Sequence, residues 1–229
     1  MDILASKDDP IPEIVEKIKT SGVVKIENYL SDVSLIKQEC VGMLSDEDSS
    51  YEFGRARNIG PLNRIPQDTH LYNFFKSDWM REVCQGYLGG GFRCHTTFVT
   101  HEFRNDKGLA RNGFLHFDRY HTFKFFLYLT DVTVDDGPFM AVPGTQSLGK
   151  ELREKSWNNR GQVGYDTVEN RLEIDHPHLG YTKEKAQPMI GGAGTLILFD
   201  SDVFHMGGVL KDGGDRMVTR IHYMGKEGL

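Results

Sequence analysis

Hydrophobic positions over the first ninety residues recur mainly with the period of an α-helix. Apolar side chains return every three or four positions, and polar side chains fill the gaps between them. Ser31 stands where it could cap the second of these segments, and a run of glycines at 89–91 follows the third. The pattern predicts three helices, over residues 11–19, 32–44 and 71–88.

Beyond residue 91 the chain changes to short apolar runs that are separated by Gly and Asp turns, which is typical of β-structure. A short strand is also predicted earlier, at 22–26, whereas the Gly-, Asn-, Pro- and Arg-rich stretch 51–66 predicts a loop. Residues 145–190 are polar and irregular, with a helix near 149–156. The later strands are predicted over 92–103, 123–130, 137–142, 194–199 and 216–224.

Several short strands that are separated by turns favour a β-sandwich or a jelly roll. The preceding helices would pack on the outside of that β core. We therefore predict a mainly β fold with flanking α-helices and a double-stranded β-helix (jelly-roll, cupin-like) core. The chain is expected to be a single domain, 1–229, in which a helical N-terminal segment of about 1–90 packs on a β core of about 91–229.

Charge and composition exclude several classes of function. The net charge of −6 resides in residues 1–50, and residues 51–229 are neutral overall, so a nucleic-acid partner is not expected. The apolar runs are too short to span a bilayer, and the sequence MDILASKDDP lacks the pattern of a secretory signal. The three cysteines form no C-x-x-C pair, which favours a reducing compartment. We expect a cytoplasmic protein without a membrane partner.

His116 and Asp118 stand two residues apart in the segment LHFDRY. On a strand both side chains would leave the same face, where an imidazole and a carboxylate can share one cation. A second histidine from a distant strand would complete the 2-His-1-carboxylate set of non-haem Fe(II) oxygenases. The spacing alone is weak evidence, because chance gives about 0.7 such patterns in a chain with 9 His. A surface histidine beside a turn aspartate is the alternative.

Two later segments offer the remaining groups. In GTLILFDSDVFHMGG, a strand runs through an acidic turn to His205, which by itself could equally be a structural histidine. An arginine of the segment DGGDRMVTRIHYM could clamp a carboxylate with its planar fork, although a solvated or acid-paired face is the alternative. Alternation on a strand places four side chains of that segment on one face: Arg216, Val218, Arg220 and His222.

The motifs follow one another in a fixed order. The chain has H-x-D, an L-x-D turn, an Asp-Gly turn, a P-G-T corner, a G-x-x-x-x-F-D strand, a histidine, and an arginine eleven residues later. These motifs lie at His116–Asp118, 129–131, 136–137, 143–145, 194–200, His205 and Arg216. Their order and spacing resemble those of the phytanoyl-CoA dioxygenase family of Fe(II)/2-oxoglutarate-dependent oxygenases. The resemblance covers most of the chain and is weakest over 45–90 and 150–187.

The resemblance implies a double-stranded β-helix that uses Fe(II), 2-oxoglutarate and O2. It implies His116, Asp118 and His205 as Fe(II) ligands and Arg216 as the partner of the distal carboxylate of 2-oxoglutarate. Iron, Asp118, 2-oxoglutarate and Arg216 would then be neutral together. Because halogenating relatives lack the carboxylate ligand, Asp118 favours hydroxylation. We predict a dioxygenase that hydroxylates a small polar or anionic molecule and releases succinate and CO2.

The sequence departs from the family pattern at two positions. Gln146 replaces the usual histidine after the P-G-T corner, and Val218 stands where some relatives have serine. The second change leaves the details of 2-oxoglutarate binding open. Desaturation, cyclisation or epimerisation with the same cofactors remain alternatives. A non-catalytic metal-binding jelly roll is a further alternative that the arginine clamp disfavours, and a zinc hydrolase would need a base motif such as H-E-x-x-H, which is missing.

A few other side chains were candidates for roles in a pocket. Lys124, Phe126 and Tyr128 would line it if their strand face points inward, whereas Lys124 could instead protect a strand edge. His95 and His101 would share a β face, and a metal role for His176 and His178 is disfavoured by the intervening proline. An arginine-rich loop could hold an anionic substrate or be merely solvated, and it contains Arg55, Arg57 and Arg64. The sequence predicts no particular oligomeric state.

Overall fold

Two β-sheets, with helices on their outer faces, make up the computed structural model. It describes residues 1–46, 50–53, 56–60, 62–103, 113–159 and 169–226. Within these residues the strands are Leu4–Ala5 (β1), Val23–Ile26 (β2), Tyr51–Phe53 (β3), Ala56–Ile59 (β4), Arg93–Phe103 (β5), Phe123–Tyr128 (β6), Phe139–Val142 (β7), Gln187–Pro188 (β8), Leu196–Asp200 (β9), Phe204–Gly207 (β10) and Asp215–Met224 (β11).

The larger sheet has eight strands in the order β1-β2-β9-β6-β11-β5-β4-β3, and the smaller has the order β10-β7-β8. All strand pairs are antiparallel except β1 with β2. The two sheets face each other as an open sandwich, and no strand pairing closes them into a barrel within the described residues. This is the predicted mainly β, jelly-roll type of architecture.

Six helices accompany the sheets in the described ranges. A long apolar cluster joins α1 to α4 to one face of the larger sheet, while α5 packs on the outer side of the smaller sheet. No helix in these ranges has the length and apolar character needed to cross a membrane. The helices are Ile11–Ser21 (α1), Ser34–Ser45 (α2), His70–Phe75 (α3), Asp78–Leu88 (α4), Gln146–Asn159 (α5) and Leu172–Asp175 (α6).

Period-two alternation in the central strands separates the two faces of the larger sheet. In β9, Leu196 and Leu198 join the cluster under the helices, whereas Ile197 and Phe199 point into the space between the sheets. Strands β6 and β11 alternate in the same way. Polar side chains on the inner face of β6 and β11 are therefore directed into the sandwich, where the candidate site lies.

The structure corrects several predicted boundaries before residue 91. Residues 51–66 are not simply a loop, because β3 pairs with β4 and β4 pairs with β5. Strand pairing here overrides the loop prediction that the Gly, Asn, Pro and Arg content of this stretch gives. Residues before 91 thus contribute four strands as well as four helices.

The helix predicted over 71–88 is two helices, because Ser77 interrupts it and caps α4 by accepting a hydrogen bond from the backbone N–H of Met80. The predicted cap at Ser31 is also wrong. Helix α2 begins at Ser34, whose N–H donates to the Asp32 carboxylate at 2.8 Å. Helix α5 extends beyond the predicted 149–156 in both directions.

Gly149 lets α5 pack directly on the turn between β9 and β10. A Cβ at this position would overlap the backbone carbonyl of Asp202. We expect Gly149→Ala to lower the free energy of unfolding by about 3 kcal/mol, because helix and turn must separate. Gly42→Ala is the matched control, since a Cβ there meets no neighbour and alanine favours the helix by about 1 kcal/mol. Urea denaturation measures both, and an equally stable Gly149→Ala protein would contradict the expectation.

Candidate metal centre

His116, Asp118 and His205 come together at one end of the smaller sheet. His116 and His205 face each other in an isolated β-bridge, with backbone hydrogen bonds of 2.9 and 2.8 Å between them. The backbone N–H of Asp118 donates to the carbonyl of Ser201 at 2.9 Å, which fixes the carboxylate beside the histidines. One possible ligand atom from each of the three residues lies within 4.8 Å of the others.

Both imidazoles are oriented by backbone carbonyls. Nδ1 of His116 lies 2.8 Å from the carbonyl of Phe114, and Nδ1 of His205 lies 2.7 Å from that of Val203. A carbonyl only accepts hydrogen bonds, so each Nδ1 carries the proton and each Nε2 has a free lone pair. Burial, together with the neighbouring His205, lowers the pKa of His116 to about 3, so His116 is neutral at pH 7.

Asp118 presents its two oxygens to different partners. Oδ1 lies 3.4 Å from Nε2 of His205 and 3.7 Å from Nε2 of His116, whereas Oδ2 contacts the ammonium group of Lys124. Burial alone would raise the pKa of Asp118, but the positive charge of Lys124 holds it well below its ordinary value. The carboxylate is thus ionised, with one oxygen directed toward the histidines.

Lys124 lies on the inner face of β6, as the pocket-lining interpretation predicts. The edge-strand alternative is wrong, because β6 is an interior strand between β9 and β11. Phe126 and Tyr128 share this inner face. The hydroxyl of Tyr128 donates to the carbonyl of Met189 at 2.8 Å.

Arg216 also faces the interior, together with the other predicted members of its strand face. Its Nη2 donates to Oε2 of Glu102 at 2.6 Å, and its Nη1 contacts the carbonyl of Gly137. Its Nε is buried without a hydrogen-bond partner among the described residues. Glu102 was missed by sequence reasoning, because a glutamate on a strand with no surrounding motif gives no signal.

The remaining candidates lie elsewhere or make other contacts. His95 is the extra residue of a bulge in β5 and is exposed, whereas His101 contacts Asp215. Nε2 of His176 lies 3.1 Å from the carbonyl of Glu169, and His178 is exposed. Of the arginine-rich segment, Arg57 lies on β4 and donates to Ser50 at 2.9 Å, Arg64 is exposed, and Arg55 is outside the described residues.

A second cluster, His121 with Asp200 and Asp202, was not predicted from the sequence. Nε2 of His121 lies 3.0 Å from Asp200, and Arg153 makes two hydrogen bonds to Asp202, at 2.6 and 2.8 Å. Burial lowers the pKa of His121, but the hydrogen bond to Asp200 outweighs it and raises the pKa overall. Asp200 is already in contact with His121 and Asp202 with Arg153, so these contacts hold the turn that leads to His205.

The sequence matches the model of one protein family, described as phytanoyl-CoA dioxygenase, over residues 22–218. The chain belongs to the phytanoyl-CoA dioxygenase family. It is therefore an Fe(II)- and 2-oxoglutarate-dependent oxygenase, and the predicted family, enzyme class and cofactors are confirmed. No curated protein matches the sequence.

Solved structures with the same fold include two enzymes from nogalamycin biosynthesis. The α-ketoglutarate-dependent carbocyclase SnoK from nogalamycin biosynthesis is 16% identical, with a TM-score of 0.72 over 96% of this chain and 86% of SnoK. The epimerase SnoN, in complex with Fe3+, α-ketoglutarate and nogalamycin RO, is 16% identical with a TM-score of 0.65 over 94% and 83%.

HygX from Streptomyces hygroscopicus, solved with nickel and 2-oxoglutarate, is also 16% identical. Its TM-score is 0.61 over 93% of this chain and 87% of HygX. Identities this low establish the shared fold alone, which confirms the jelly-roll prediction for this member of the phytanoyl-CoA dioxygenase family.

The three candidate ligands fit the iron that the phytanoyl-CoA dioxygenase family uses. Two imidazole nitrogens and one carboxylate oxygen converge, which is the composition of a 2-His-1-carboxylate site. The rings of Phe199 and Phe139 lie 5.2 and 5.7 Å from that of His205, so apolar groups border the site on one side.

Proposed function

We propose that this enzyme hydroxylates a small polar or anionic molecule and releases succinate and CO2. The presence of Asp118 beside the two histidines carries the proposal, because a carboxylate ligand leaves no vacant position for a halide. When bound, Fe(II) and 2-oxoglutarate supply the oxidation of the substrate by O2. The protein itself binds and orients the cosubstrate and the substrate, and it excludes water.

Each residue has a separate role in this proposal. His116, Asp118 and His205 hold the metal, with the two imidazoles aligned by their Nδ1 hydrogen bonds. Lys124 holds Oδ2 of Asp118, which leaves Oδ1 for the metal. Arg216 binds the distal carboxylate of 2-oxoglutarate, and its unpartnered Nε provides a donor for this purpose.

Other oxidative outcomes use the same groups. A carbocyclase and an epimerase share the fold, so cyclisation or epimerisation is the second candidate, with desaturation beside it. These reactions differ in where the substrate is placed relative to the metal, by distances of about an ångström. The non-catalytic jelly roll and the zinc hydrolase are set aside by the family assignment.

A small-molecule substrate is supported by the ligands named for two neighbours. SnoN was solved with nogalamycin RO and HygX with hygromycin B. We also propose a cytoplasmic location, which is supported by three cysteines without disulfides, two of them buried.

Anaerobic calorimetry with 2-oxoglutarate tests the proposed function. We expect the Fe(II)-loaded protein to bind 2-oxoglutarate and the metal-free protein to bind it far more weakly, because the keto acid needs the metal and Arg216 together. Glutarate, which lacks the keto group, is the matched control ligand and should bind weakly. Equal binding of the two acids would contradict the proposal, as would the absence of 2-oxoglutarate binding to the Fe(II) protein.

A screen of candidate substrates that follows succinate release then identifies the reaction. A hydroxylated product is the expected outcome. A product that has lost two hydrogen atoms without gaining oxygen would favour desaturation or cyclisation. Inversion of one stereocentre of the substrate would favour epimerisation.

A further inference from the structure

Arg220 lies on the inner face of β11, and no carboxylate of the described residues forms a salt bridge with it. Its Nη2 donates to the hydroxyl of Thr100 at 2.7 Å. Its Nε is sealed from solvent and has no hydrogen-bond partner among the described residues. Burial lowers the pKa of Arg220 below its ordinary value, but a guanidinium remains charged at pH 7. The group therefore holds an unused donor, and the nearest carboxylate that acts on its charge, Glu102, is already in a salt bridge with Arg216.

The guanidinium is held in place by neutral groups. The rings of Phe98 and Phe126 lie 5.0 and 5.5 Å from its central carbon, so it is bordered by two aromatic rings. The Thr100 hydroxyl donates its own proton to Asn58 at 2.8 Å, which leaves its lone pairs for Arg220. These contacts orient the guanidinium group of Arg220 but do not neutralise its charge.

The other two cations on the inner faces of β6 and β11 already have partners. Lys124 is paired with Asp118, and Arg216 is paired with Glu102. Bound Fe(II) and doubly ionised 2-oxoglutarate would neutralise each other. Among the described residues, the loaded site therefore keeps one surplus positive charge, that of Arg220. Because an unpaired charge is costly away from water, the completed complex favours an additional anion.

His222 adds a second unused polar atom on the same strand face. Its Nε2 is buried without a partner in the described structure, and its ring lies parallel to that of Phe126 at 6.1 Å. Burial, together with Lys124 and Arg220, lowers the pKa of His222 well below its ordinary value, so the imidazole is neutral. A ligand at Arg220 would thus meet one cation, one neutral polar atom and two aromatic rings.

We propose that Arg220 binds an oxyanion of the substrate, a carboxylate, sulfate or phosphate group, whose adjoining apolar part packs on Phe98 and Phe126. This inference rests on the proposed function and narrows its substrate class to anions. Because the planar guanidinium group is already oriented, it can bind an oxyanion through two hydrogen bonds with little loss of conformational entropy. Arg220 is then a specificity residue, distinct from the cosubstrate partner Arg216.

Binding of simple anions to the loaded protein tests this assignment. The protein is loaded with Zn(II), which is redox-inert and diamagnetic, and with 2-oxoglutarate, and is then titrated separately with acetate, sulfate and phosphate. We expect at least one anion to shift the Nε–H resonance of Arg220. Comparison of the three probes shows which oxyanion fits best.

Two variants and a control complete the experiment. Arg220→Gln should weaken binding of that anion by at least about tenfold, while the dissociation constant of 2-oxoglutarate changes by less than about twofold. Arg220→Lys keeps the charge and should retain part of the affinity. Arg93→Gln, which replaces an exposed arginine on neighbouring β5, should change neither constant.

Three results would overturn the inference. First, the Nε–H resonance of Arg220 in the wild type could fail to respond to any of the three anions. This measurement does not depend on the folding of a variant. Arg220→Gln could bind the anion as tightly as wild type, or it could lose 2-oxoglutarate as strongly as an Arg216 variant, which would make Arg220 a cosubstrate residue. Failure of the proposed function is a separate observation, because the wild type would then bind no 2-oxoglutarate before any anion is added.

Discussion

His205→Ala is expected to abolish 2-oxoglutarate-dependent succinate release and to lower metal affinity by more than about a hundredfold, since losing even an outer-shell partner of a ligand costs 10–100-fold. The reason is geometric. Nε2 of His205 and Oδ1 of Asp118 lie 3.4 Å apart, and both are needed to complete three ligands on one side of the metal. Calorimetry with Fe(II) under anaerobic conditions measures the affinity directly.

The same loss is expected for His116→Ala, because its imidazole is the third of the proposed ligands. His178→Ala is the matched control, because this histidine is exposed and lies outside the cluster. Circular dichroism and thermal unfolding separate loss of metal from loss of fold. Wild-type succinate release by either ligand variant would refute the ligand assignment.

Arg216→Gln is expected to raise the dissociation constant of 2-oxoglutarate by about 10- to 100-fold, the range for a lost hydrogen bond between charged groups. Arg216 faces the interior and keeps an unpartnered Nε although Glu102 and the Gly137 carbonyl occupy its two terminal nitrogens. Its loss removes the carboxylate partner but leaves the metal ligands intact. Fe(II) affinity should therefore change little, and calorimetry with each ligand in turn distinguishes the two effects.

Arg220→Gln provides the internal comparison for this prediction, because Arg220 lies on the same strand face four residues away. A larger loss of 2-oxoglutarate affinity in Arg220→Gln than in Arg216→Gln would show that Arg220, not Arg216, binds the cosubstrate. Equal losses in both would mean that the two arginines share one carboxylate.

The part of the site that the sequence predicts depends on short-range periodicity and motif order. Alternation on a strand predicts correctly that Arg216 and Arg220 share one face and that Lys124 and Phe126 share another, and the structure turns both faces inward. The H-x-D spacing and the later His205 predict three residues that the structure brings within ligand distance of one another. Their roles as iron ligands stay a prediction until metal binding is measured.

The remaining features depend on long-range pairing that a single sequence does not encode locally. Glu102 meets Arg216 only because β5 and β11 are antiparallel neighbours in register at these two residues. Strand β3 pairs with β4, and β4 with β5, in a stretch whose Gly, Asn, Pro and Arg content predicts a loop. In both cases the partner is a distant strand, so no local pattern predicts the contact.

The two sheets carry different parts of the candidate site, which has a consequence for engineering this enzyme. His205 is carried by the smaller sheet, whereas Arg220 and its neighbours Thr100 and Phe98 are carried by β11 and β5 of the larger sheet. Substitutions at Phe98, Thr100 and Arg220 are therefore expected to change which molecules are accepted without moving His205. Redesign of the substrate range can begin at these three positions, with Arg216 and the proposed metal ligands kept unchanged.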